Sequence, residues 1–474
     1  MAIRGGTLPC MPDPNVERIQ GWLREHEQEL LDDTVRMLRI PSIETEAQPG
    51  APFGQANRHA LDLALEIGDR WGMRTKDLEG HIGYAEFGEG EKLIISLGHL
   101  DVVPVGHGWK HEPFGAEIDE GYIYARGAED DKGPTMASFY AARAIMQCVP
   151  DLGCRIRQVF GCDEESGFEC VKRYMQTEEA PTFGVAPDSG WPLYHAEKGI
   201  ANLKVSLGIA PSELQILEIA GGQRPNIVID ACEATVRVAD SARKHVDVKL
   251  SDSWDRNIEW SWVSDGVLSI KAQGKAAHGS TPFNGDSAAI RLFRFLVEIS
   301  PLSTEGYYRE LFESSHISGA GLGIHGRDDV SHDLTCNLGI VGKQSDRISL
   351  LYNIRYPTTW KGDMLRALCE AYLASLDADW KLDSMDDSPS LYFPLEHPLV
   401  KTICEVVREE TGEDKPPGVM GGGTYARAIP NTVSIGTGWE GDGKAHETDE
   451  RLKVEHLFKM SRIYGHILYR LAKL

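Results

Sequence analysis

No apolar run in this chain approaches the ~18 uninterrupted residues a membrane-spanning helix needs, so a helical bilayer-crossing protein is excluded. The first residues, Met1-Ala2-Ile3-Arg4-Gly5-Gly6, lack the apolar core of a secretory signal, and export is not expected. Cysteine is sparse: nine are scattered over 474 residues, an odd number with no CxxC pair. Neither a disulfide framework nor a Cys-ligated zinc finger is expected. The thiols read instead as reduced, cytoplasmic and mostly small core residues. Positive charge is also scarce, since 49 Lys and Arg stand against 72 Asp and Glu for a net −23. A surface this acidic repels nucleic-acid phosphates and anionic lipid, so neither nucleic acid nor membrane is an expected partner. The surplus carboxylates serve solubility, or some of them hold divalent cations.

What is present suits a folded protein: 41% hydrophobic and 8% aromatic residues, over a length that suggests two or three domains. Ile19, Leu23, Leu30, Val35 and Leu38 recur near the helical period and predict a helix over 16–38, closed by Pro41. The Pro- and Gly-rich stretch before it is expected to fray. A second helix is predicted over 59–71. The apolar run 93–97 predicts a buried strand ending at Gly98. Further strands are predicted at 156–160 and 183–186, with a helix at 134–146 before the first and one at 168–175 between the two. Alternating strands and helices argue for a largely parallel sheet, whose ligand site lies beyond the carboxyl ends of its strands. After about Lys198 the texture changes. Segments 203–207, 267–272, 335–341 and 348–354 alternate apolar and polar residues, as half-exposed antiparallel strands do, with helices at 288–298 and 364–374. Near Asp386 it changes back, with a helix at 399–410, a strand at 433–435 and a closing helix over 452–474. The expected fold class is α/β with two domains: a mostly parallel-sheet domain (1–195 and 386–474) interrupted by an inserted α+β domain with an antiparallel sheet (196–385).

Gly98-His99-Leu100-Asp101 is the strongest local signal. Residues i and i+2 of an extended segment share a face, so His99 can point at a metal with Asp101 orienting it. Alone, a buried His near an Asp is more often a satisfied pair. Asp130-Asp131-Lys132-Gly133 places two carboxylates before a helix, where they can cap it or bridge two cations. Glu164-Glu165 follows a buried strand, as a solvated turn or as one metal ligand beside one proton carrier. Asp188 follows another strand in Pro187-Asp188-Ser189-Gly190, which is also a good plain turn. His446-Glu447-Thr448-Asp449-Glu450 precedes the last helix without forming a capping box, and can be a solvated helix start. Each is weak alone. Together they form the His, Asp, Glu, Asp and His set that a two-metal hydrolase needs, with zinc suited to the donors and manganese or cobalt possible.

This order resembles the co-catalytic metallopeptidases, the group of aminoacylase, carnosinase, glutamate carboxypeptidase and succinyl-diaminopimelate desuccinylase, and most of all the long PepV-type dipeptidases. Trp109 with Pro113-Phe114, Glu197-Lys198-Gly199, and Gly421-Gly422-Gly423-Thr424-Tyr425-Ala426-Arg427 support it, and it covers nearly the whole chain after about residue 15. The resemblance implies that His99 binds one of two divalent metal ions and His446 the other. Asp130 would bridge them, with a cis bond to Asp131, and Glu165 and Asp188 would complete the two shells. Asp101 would orient His99, and Glu164 would be general base and acid. The inserted domain would be a lid whose His278, in Ala277-His278-Gly279-Ser280, steadies the oxyanion. On sequence alone His278 reads equally as a surface loop histidine and Arg355 as a strand-face residue. The resemblance makes Arg355 the clamp on the substrate carboxylate, Asn226 a lid asparagine, and Gly422 and Gly423 points of close backbone approach. The long lid implies a monomer whose two domains close over the substrate. The expected function is hydrolysis of short peptides with a free N-terminus. N-acyl amino acid deacylation or desuccinylation is the alternative within the hydrolases, and a catalytically dead metal-binding scaffold the alternative outside them.

Overall fold

The computed structural model describes residues 13–443 and 445–474. Residues 1–12 of the N-terminal stretch read above for a signal and for fraying lie outside them, as does Cys10, while Pro14 and Asn15 already belong to a helix. The chain separates into two compact units. One holds the chain as far as His195 with Phe393–Gly418 and Thr424–Leu474, and the other holds Ala196–Tyr392 with Val419–Gly423.

The first unit is built on a mixed sheet. Its centre is parallel: strand Arg155–Gly161 lies beside Leu93–His99, which lies beside Phe183–Ser189, which lies beside Thr432–Gly436. Antiparallel strands extend both sides, Ile82–Gly88 and Arg74–Asp77 beyond Arg155–Gly161, and the strand beginning at Leu193 beyond Thr432–Gly436. Every residue of Leu93–His99 is buried, as expected of a central parallel strand covered on both faces. Helices Pro14–Glu25, Glu27–Leu38 and Val454–Lys473 pack around Lys132–Cys148.

The single helix predicted over 16–38 is two helices. At His26 the φ is −113°. The His26 ring stacks on Trp22 at 3.7 Å, and its Nδ1 lies 2.7 Å from the Trp22 carbonyl. That carbonyl is the one the His26 amide would bond in an unbroken helix, and the amide donates instead to Leu23 (3.1 Å). The last helix begins at Val454 rather than Leu452, because Arg451–Lys453 pairs as a strand with Tyr122–Tyr124.

The second unit is an antiparallel sheet of eight strands. Their order is Ile258–Ser264, Val267–Gln273, Ala231–Val238, Leu214–Gly221, Thr335–Gln344, Arg347–Tyr356, Gly199–Gly208 and Trp380–Ser388. Gly199–Gly208 and Ala231–Val238 alternate buried and exposed residues along much of their length. Helices Asp240–Asp252, Ala288–Ile299, Leu302–Ser314 and Gly362–Leu373 complete its core. Strand Trp380–Ser388 runs through Asp386, where the sequence texture already changes, so the chain re-enters the first unit only at Phe393.

Candidate metal centre

The parallel strands of the first unit deliver their side chains to one end. Leu93–His99 terminates in His99, whose Cα pairs with Gly161 at the end of the neighbouring strand, just before Cys162-Asp163-Glu164-Glu165. Asp188 lies within Phe183–Ser189, one residue before its end, rather than beyond it. Gly98 is required here by crowding, since a Cβ on it would sit against the Thr135 hydroxyl.

Asp130 is the hub. Its Oδ1 lies 3.0 Å from His99 Nε2 and its Oδ2 lies 3.2 Å from His446 Nε2. Each oxygen of one carboxylate thus faces a different imidazole. His446 Nε2 also lies 3.0 Å from Glu165 Oε1. Ligand atoms of His99, Asp130 and Asp188 fall within 4.8 Å of one another, as do those of Asp130, Glu165 and His446, and those of His99, Glu164 and Glu165. The first two sets share Asp130. A pair of three-donor imidazole and carboxylate sets with a common carboxylate fits two divalent cations. The Asp130–Asp131 peptide bond is cis.

Neighbouring groups hold this arrangement. The Nδ1 of His99 lies 2.9 Å from the Asp101 main-chain carbonyl and 3.6 Å from its carboxylate. The Asp101 carboxylate accepts from the amides of Glu164 (3.1 Å) and Glu165 (3.0 Å). Asp101 therefore fixes His99 mainly through its backbone and fixes the Glu164-Glu165 turn through its side chain. Asp131 Oδ2 accepts from the His99 amide (3.1 Å) and the Thr135 hydroxyl (3.0 Å).

The electrostatics follow from crowding carboxylates together out of water. Burial, and then neighbouring Glu165, Asp130 and Asp101, push the Glu164 carboxyl well above its ordinary range. Burial, Glu164 and Asp130 do the same to Asp188. Asp130 and Glu165 raise His446 to about 10. A site with more buried carboxylates than imidazoles is one where cationic charge is favourable.

A family model described as Peptidase family M20/M25/M40 matches residues 95–470. The chain belongs to this peptidase family. Among M20/M25/M40 relatives, "Putative dipeptidase YtjP" of Bacillus subtilis is 35% identical over 459 residues, spanning 94% of this chain and 98% of that protein. Human carnosine dipeptidase 1 shares the fold at a TM-score of 0.56 and 15% identity, covering 98% of this chain and 100% of the other. Aminoacylhistidine dipeptidase from Vibrio alginolyticus does so at 0.59 and 12%, covering 93% and 96%.

The remaining predicted residues gather in the second unit. The Gly279 amide donates to the Asn226 carbonyl (2.7 Å), and Ile227 bridges to His278. His278 is exposed, with Nδ1 2.6 Å from the Ser280 hydroxyl. Arg355 is buried. Its Nε donates to Asn353 Oδ1 (3.0 Å) and its Nη1 to the Gly421 carbonyl (3.1 Å). A Cβ on Gly422 would meet only the flexible Met420 side chain; among the described residues, nothing in the fold itself demands glycine there. Sequence reasoning left two polar residues unexplained, Arg126 and Glu450, both buried beside the Asp130 turn. The signal available was the acidic run after His446.

Proposed function

We propose that this metallopeptidase is a dipeptidase that hydrolyses small peptides with a free N-terminus, using two divalent metal ions held by His99, Asp130, Glu165, Asp188 and His446. The observation that carries this reading is Asp130, whose two oxygens face two different histidines and join two donor sets. The relatives named for dipeptide substrates support the substrate class.

When bound, the cation pair supplies Lewis acidity to the scissile carbonyl and acidifies water at the site. Glu164 takes the proton of the attacking water and returns it to the leaving amine, so a C–O bond forms as the C–N bond breaks. Asp101 keeps Glu164 in place through the amides of the turn. His278 is assigned to the developing oxyanion. Arg355 takes the substrate's terminal carboxylate, with Asn226 and the Gly422 and Gly423 backbone as further contacts. Arg355 is already oriented by Asn353, which lowers the cost of holding a carboxylate in fixed geometry.

Zinc is the proposed metal, with manganese and cobalt as functional substitutes. The protein is proposed to be a cytoplasmic monomer. Supporting the compartment, the cysteines among the described residues are free thiols, nearly all buried. A sizing column reading an obligate dimer would remove the monomer assignment.

The deciding experiment is a panel of dipeptides and their N-acetyl forms, assayed with metal-free protein refilled with zinc, manganese or cobalt. Free dipeptides should be hydrolysed in preference. Faster turnover of the acetylated forms would replace the reading with a deacylase.

A further inference from the structure

Glu450 is fully buried, and Arg126 is 1% exposed. Glu450 Oε2 accepts from Arg126 Nη1 at 2.7 Å. Its Oε1 accepts from two consecutive amides, those of Glu129 (3.0 Å) and Asp130 (3.2 Å). Its carbonyl accepts from the Ala125 amide (3.1 Å). One residue thus grips the turn that carries Asp130 by main chain and side chain.

The same residue belongs to the segment that carries His446. Gly443 and Arg451 exchange both backbone hydrogen bonds, at 3.1 and 3.2 Å, which closes that segment into a loop. Arg451–Lys453 then pairs with Tyr122–Tyr124, the strand leading to Arg126. Arg126 is held in turn, its amide donating to the Pro113 carbonyl (2.8 Å) and its guanidinium lying 5.2 Å from the Trp109 ring.

We propose that Glu450, oriented by Arg126, is a positioning residue that locks the Asp130 turn and the His446 loop into one body and so sets the spacing of the two donor sets. The proposal rests on the reading of His99, Asp130, Glu165, Asp188 and His446 as cation ligands. Its physical basis is preorganisation. Ligands on two separate loops lose conformational freedom when an ion binds, and a shared buried clamp removes that loss before binding. A buried ion pair contributes little net stability once desolvation is counted. Two consecutive amides aimed at one oxygen give this pair a role that a simple core ion pair does not need.

Two variants test it. Glu450→Asp keeps the charge opposite Arg126 but withdraws the carboxylate by one methylene from the two amides. Glu450→Gln keeps an acceptor but leaves Arg126 without its counter-charge. Cation affinity of metal-free protein is measured by competition with a chromophoric chelator for zinc, alongside melting of the metal-free forms and the absorption spectrum with cobalt. Glu450→Asp should melt within a few degrees of wild type yet bind zinc about 10- to 100-fold more weakly, with an altered cobalt spectrum. At saturating zinc its kcat should fall while KM for a dipeptide holds. A folded Glu450→Asp with wild-type zinc affinity and spectrum would overturn the proposal. So would failure of both variants to fold, since the pair would then be purely structural. Wild-type protein that takes up no cation would instead defeat the ligand assignment, and this inference with it.

Discussion

With Glu164 proposed as the proton carrier, its removal should separate chemistry from cation binding. It lies outside the two donor sets that share Asp130, and glutamine keeps its size and one oxygen, so Glu164→Gln should keep cation stoichiometry while kcat falls by about 10²- to 10⁴-fold. Metal analysis beside steady-state kinetics checks this, and near-normal turnover would remove Glu164 from its role. A second residue-scale prediction lies in the other unit, at Asp328. Burial there favours the protonated acid, but the amides of Ser331 and Thr359 and the hydroxyls of Ser331 and Thr358 outweigh it and hold the pKa down to about 2. A carboxylate with a depressed native pKa stabilises the fold above its unfolded value near 4, and that contribution disappears as pH falls toward 2. Asp328→Asn should therefore melt below wild type at pH 6, and the gap should narrow between pH 4 and 2. A gap independent of pH would show that the ionised form is not what matters. Legibility at this scale was uneven. Motif order marks His99, Asp130 and His446 as candidate ligands, whereas Glu450 looks like any acid in a helix approach until its partners are seen.

Among the elements, the central parallel strand carries the site. Leu93–His99 is buried along its whole length and ends in His99, a proposed metal ligand. Ile95→Ala removes side-chain volume where neighbours on both faces cannot all close in, and should cost about 2–5 kcal/mol. Urea unfolding measures it, and a loss under 1 kcal/mol would mean that the strand is less tightly packed than its burial indicates. The buried strands and long amphipathic helices were readable because their periodicities are local. The break at His26 was not, because it depends on a ring nitrogen competing with an amide for the Trp22 carbonyl. Strand Arg451–Lys453 was hidden for a related reason: it is short and gains its identity from pairing with Tyr122–Tyr124.

For the molecule as a whole, cation binding and folding are linked. An ion that binds only the folded chain stabilises it by about 2.7 kcal/mol at a hundredfold excess over its dissociation constant. Stripping with a chelator should abolish dipeptide hydrolysis and lower the melting temperature, with zinc restoring both. Superimposable melts of stripped and refilled protein would contradict the ligand assignment. The sequence by itself determined the two textures, the parallel centre of one sheet and the antiparallel pairing of the other, and the donor types, because hydrophobic period and side-chain chemistry are properties of short segments. Only the tertiary structure decided that the donors converge. Strand Thr432–Gly436 enters the sheet parallel to Phe183–Ser189, and His446 follows it to meet Asp130 and Glu165. That meeting depends on strand order and on pairings between distant segments, which no local pattern encodes.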